Sequence, residues 1–121
     1  MRPIYHYYHV YADGPWSMPV AEHWAALKAS GLTVEMHVGL VGTPYHRAVA
    51  AEAMRIVGMP IARFVEADTG FEQVTLAALE GDLKIPGRIP DDAAVMYAHT
   101  KTQDDWRRSM TRRLVREGAH C

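Results

Sequence analysis

The chain has 121 residues, 49% of them hydrophobic, which suits one compact domain with a true core and is too short for two. Thirteen basic residues against 14 acidic ones leave a net charge of −1, so no field of one sign is available to gather nucleic acid. The only cysteine is Cys121, which excludes an internal disulfide.

Residues 4–11 (IYHYYHVY) are β-branched or aromatic at nearly every position and predict a strand, broken by the turn ADGPW. From Pro19, the apolar positions Val20, Trp24 and Leu27 recur at helical spacing until Gly31 stops them. TVEMHVGLVG predicts a second strand ending in a glycine-marked turn, and residues 45–57 predict a second helix that stops at Gly58. Residues 61–66 (IARFVE) predict a short strand, and residues 71–83 a third helix that frays at Gly81. KIPGRIPDD, with two prolines and a glycine, is a loop. Residues 93–98 (AAVMYA) are nearly all apolar, which predicts a central strand covered on both faces. Residues 104–117 (DDWRRSMTRRLVRE) predict a last helix, capped by Asp104 or Asp105, with Trp106, Met110, Leu114 and Val115 on its apolar side.

Four alternations of strand and helix predict a Rossmann-like α/β domain, a mostly parallel sheet of about four strands with helices on both faces. Such sheets bind ligands outside the carboxyl ends of their strands. Polar groups cluster at each of those ends: Asp13 and Trp16; Thr43; Glu66, Asp68 and Thr69; His99, Thr100 and Lys101.

VMYAHTKTQDDWRRSMTRRLV resembles the signature of a group of bacterial and viral glycosyltransferase-like proteins, in which an apolar strand ends Tyr-x-His-Thr-Lys and a Trp-Arg pair opens the next helix. FEQVTLAAL is similar to that family's Glu-x-x-Thr-Leu-x-x-Leu helix, IYHYYHVYADGPW to its first strand and Trp-containing loop, and VGLVG to its second strand. The resemblance spans residues 4 to 115 in the family's order. It implies a GT-A-like, nucleotide-sugar-binding unit corresponding to the family's N-terminal half, and transfer of the sugar to an unknown acceptor. Thr102 stands where the family usually has glycine, and the family's members are longer.

On this resemblance His99 and Lys101 are the catalytic candidates, with the lysine offsetting charge on a leaving diphosphate. Asp13, Trp16, Glu72, Thr75, Thr100, Asp105 and Arg107 are the donor-binding candidates. Each has a structural alternative: a surface lysine, a half-buried histidine bonded to a carbonyl, an indole plugging the sheet edge, or a glutamate at a helix start.

No metal is expected to be required, because the sequence has no Asp-x-Asp and HTK follows the fourth strand. The fallback is Mn²⁺ or Mg²⁺ at Glu66 and Asp68, whose oxygens suit such ions. The seven histidines show no zinc-ligand spacing. The expected partners are a nucleotide-sugar, its acceptor, and a second copy or another chain that completes a domain cut short relative to the family, with the contact through residues 106–115. The competing reading is a non-catalytic nucleotide-sugar or partner-binding module, or an oligomerising structural subunit. No long apolar segment and no signal-peptide pattern occur, so the expected location is cytoplasmic, with no membrane span.

Overall fold

The computed structural model describes residues 4–100. Along them run β1 (Ile4–Tyr11), α1 (Ser17–Ser30), β2 (Val34–Val41), α2 (Pro44–Ile56), β3 (Ile61–Ala67), α3 (Gln73–Leu83) and β4 (Ala94–His99). The predicted helix over 104–117, with Lys101, Asp105, Trp106 and Arg107, lies outside the described residues. Helix α1 begins two residues before Pro19, since a proline in the first turn gives up an N–H that has no helical partner anyway. It ends at Gly31, whose φ of 70° closes the C-terminus in the left-handed conformation. Helix α3 does not fray at Gly81 but continues to Leu83, because the next residue, Asp82, is anchored from the sheet.

The strands lie in the order β3-β2-β1-β4, and all three pairings are parallel. The chain steps from β1 to β2 to β3, then reverses and returns to the far side of β1. Crossovers of one hand running in opposite directions put their helices on opposite faces. The side chains agree. On β1, His6 and Tyr8 meet His23 of α1, whereas Tyr7 and His9 meet Asp82 and Thr75 of α3. This is the Rossmann-like α/β arrangement expected from the alternation.

The two faces differ in chemistry. Under α1 and α2 lies the apolar layer: Ile4, Tyr8 and Val10 of β1, Met36, Val38 and Leu40 of β2, and Leu27 and Met54 from the helices, all 2% exposed or less. Burial on this scale drives folding of the unit. The α3 face is polar but enclosed. Tyr7 donates to Asp82 at 2.7 Å, Arg63 donates to the same oxygen at 2.7 Å, and His37 pairs with Glu35 at 2.8 Å while stacking on Tyr7. Helix α3 sits close to the sheet because position 39 carries no side chain: a Cβ there would stand 1.7 Å from the Thr75 hydroxyl oxygen.

Strand β4 is not central among the described residues. It forms the sheet edge beside β1, with Val95 40% exposed and Met96 and Ala98 buried. A continuous apolar run suits a strand with two covered faces, and equally one whose outer face is only partly covered. Among the described residues no helix is long and apolar enough to cross a membrane.

Candidate functional site

The strand order reverses between β1 and β4, and in a parallel sheet the crevice at the carboxyl ends of such a pair is left open by helices departing to opposite faces. Here that crevice is a cleft of about 600 Å³. Strand β1 and its following turn supply His9, Tyr11 and Asp13. The loop after β3 and the approach to α3 supply Asp68, Phe71 and Glu72, and the end of β4 supplies His99 and Thr100. Register brings the two halves together, since His9 and His99 are direct partners on neighbouring strands. One further backbone bond, from Thr100 N–H to the His9 carbonyl at 3.1 Å, carries the ladder past β4.

The hydrogen bonds orient both imidazoles and fix the tautomer of His99. His99 Nδ1 lies 3.2 Å from Glu72 Oε1 and 3.3 Å from the Thr100 carbonyl oxygen. Both are acceptors, so Nδ1 carries a proton. His9 Nδ1 lies 2.8 Å from the Thr75 hydroxyl. Burial holds the His9 pKa below the ordinary 6.5, a shift that the nearby Glu72 charge partly opposes.

Asp13 occupies the rim. Its carboxylate accepts the Thr43 N–H at 3.0 Å and the Thr43 hydroxyl at 3.1 Å, and pairs with His46 Nδ1 at 2.6 Å. The backbone bond from Thr43, followed by the His46 contact, lowers its pKa. Asp13 thereby ties the turn after β1 to the start of α2.

Of the candidates drawn from the sequence, Asp13, Glu72, His99, Thr100 and Asp68 meet around this cleft. Thr75 is buried beneath it, and Trp16 packs, half-buried, against the apolar layer. Glu66 and Asp68 do not face a common open position; both bind the Arg47 guanidinium. Among the described residues no cluster of three or more His, Cys, Asp or Glu is arranged to hold a metal ion. Lys101, Asp105 and Arg107 lie outside the described residues. Sequence reasoning missed His9. The available signal was strand alternation: His9 shares phase with Tyr7 and Tyr11 and stands two residues before the carboxyl end of β1.

Fold and cleft define a Rossmann-like α/β domain with a ligand-sized crevice at its topological switch point. No family model, curated protein or solved structure matches the chain.

Proposed function

We propose that the chain is a glycosyltransferase-like protein that binds a nucleotide-activated sugar in the cleft between β1 and β4 and transfers the sugar to an acceptor. The observation that carries this reading is the contact between Glu72 and His99. They belong to two separate stretches of the resemblance, Glu-x-x-Thr-Leu and Tyr-x-His-Thr-Lys, and they come together at the switch point. In the reaction, Lys101 and Arg107 offset charge developing on the departing diphosphate, and Asp105 bonds the donor. Glu72, Thr100 and Asp13 bond hydroxyl groups of the donor, and His99, oriented by Glu72, acts beside the bond that breaks. A lysine in this role makes a bound Mn²⁺ or Mg²⁺ unnecessary.

Calorimetry of the full chain with a panel of nucleotide sugars tests the proposal. At least one should bind, binding should survive EDTA, and Lys101→Ala should weaken it by about 1.5 to 3 kcal/mol, the range for a charge-assisted contact. Equal affinity for Lys101→Ala and the parent would refute the phosphate role. Donor binding without sugar transfer would favour the second reading, a non-catalytic module that joins another chain. That reading draws on the edge position of β4, where Val95 is exposed among the described residues.

A further inference from the structure

We infer that His9 hydrogen-bonds the ligand through Nε2, that Thr75 seated on Gly39 is its positioning residue, and that the ligand group meeting it is an uncharged, hydroxyl-bearing one, a sugar or ribose. The inference rests on the donor reading of the cleft and assigns the parts of the donor within it.

The geometry is a stack three residues deep. Gly39, without a side chain, admits Thr75 so closely that any Cβ there would collide with its hydroxyl. Thr75 is 1% exposed and has no room to turn away. Its hydroxyl holds His9 Nδ1 at 2.8 Å, which fixes the ring against the cleft wall. Among the described residues Nε2 makes no bond, and it is not one of the enclosed polar atoms left without a partner. Such an imidazole is oriented from behind and open in front, as ligand-binding histidines generally are.

The class of ligand follows from the company His9 keeps. The described wall of the cleft is lined by three carboxylates and no lysine or arginine: Asp13, bonded to Thr43 and His46; Asp68, paired from outside the wall with Arg47; and Glu72, beside His99. Ionised carboxylates only accept hydrogen bonds, so their remaining lone pairs suit hydroxyl donors and offer no donor to phosphate oxygens. Burial keeps His9 neutral near pH 7, able to accept from or donate to a hydroxyl. At the rim Phe71 is 79% and Tyr11 49% exposed, flat apolar faces of the kind that pack against the C–H face of a sugar ring. The hydroxyl-rich part of the donor therefore belongs over His9, and the diphosphate away from this described wall.

The test uses the full chain labelled with ¹⁵N in its histidines, with UDP-glucose and inorganic pyrophosphate as separate probes. UDP-glucose should move the His9 Nε2 resonance and pyrophosphate should leave it in place. Thr75→Val, which keeps the shape and removes the hydroxyl, should weaken UDP-glucose binding about three- to tenfold, leave pyrophosphate binding unchanged, and be rescued by Thr75→Ser. A thermal midpoint for each variant separates this from a loss of folding. An Nε2 signal unmoved by bound UDP-glucose, or moved as much by pyrophosphate, overturns the assignment. If UDP-glucose and the other nucleotide sugars fail to bind at all, it is the donor reading that falls. His9 is then decided by millimolar uridine and methyl glucoside on the same signal, where a shift supports the assignment and its absence overturns it.

Discussion

Replacing Asp82 with alanine is expected to lower the unfolding free energy by about 3 to 5 kcal/mol, the usual cost of removing one partner from a buried charged network. Asp82 is 4% exposed near the carboxyl end of α3, where the helix dipole disfavours a negative charge. It is held there by the Tyr7 hydroxyl and Arg63, both at 2.7 Å, and by Arg88 at 3.2 Å. Burial, and then the bond to Asp82, push the Tyr7 phenol well above its ordinary pKa of 10, so Tyr7 remains a donor. Alanine would leave that hydroxyl and the Arg63 guanidinium without an acceptor, while Arg63 Nε already has none. Because a domain of this size has only about 5 to 15 kcal/mol of stability, the loss should be plain in urea denaturation. Arg88→Ala, on the half-exposed side of the same network, should cost no more than about 1 kcal/mol. Equal and small effects from both would show that Asp82 is not the anchor of α3.

Acid should unfold the protein through a pair of histidines rather than through its carboxylates alone. His6 Nε2 and His23 Nε2 lie 2.5 Å apart in the apolar layer, 0% and 1% exposed. His6 Nδ1 faces the Met96 carbonyl at 3.3 Å and so carries the proton there, which leaves Nε2 to accept from His23 Nε2–H. His23 Nδ1, then a bare lone pair, is enclosed without a partner. A proton added to His6 would set N–H against N–H in a fully buried site.

Burial accordingly lowers the His6 pKa from 6.5 to about 4 and puts that of His23 well below 6.5. Between these values the unfolded chain binds more protons than the folded one, so stability is full above pH 6.5 and declines as the pH falls toward 4. His6 alone accounts for a loss on the order of 3 kcal/mol over that window. Urea midpoints measured from pH 7.5 to 4 should fall steadily in the parent and clearly less in the double variant His6→Phe, His23→Leu, where buried His9 still titrates. A parallel decline in both would assign the acid sensitivity elsewhere.

The elements from β1 to β4 were legible because each carries its own punctuation: aromatic and β-branched runs for strands, Gly31 and Gly58 after helices, and two prolines in the loop before β4. Strand order was legible only as a class. Nothing local in AAVMYA distinguishes an edge strand from a central one, since the exposure of Val95 depends on what lies over it. The polar α3 face was illegible for a related reason. Asp82 looks like an ordinary helix-surface residue and Thr75 like a ligand contact, and only the close approach of α3, permitted at Thr75 by Gly39, turns them into buried partners of Tyr7 and His9. The candidate site divides similarly. Glu72, His99, Thr100 and Asp13 stand at element ends, where the fold class leads one to look, whereas His9 lies within a strand whose composition reads as core throughout.

The ligand is expected in the crevice where the strand order reverses. Backbone amide shifts of the full chain titrated with UDP-glucose test it most directly. The largest changes should fall at residues 9–13, 68–72 and 99–100, the three segments that form the cleft. Changes concentrated instead along the groove of Arg47, Arg55 and Phe64 between α2 and β3, with the β1 and β4 ends silent, would contradict it.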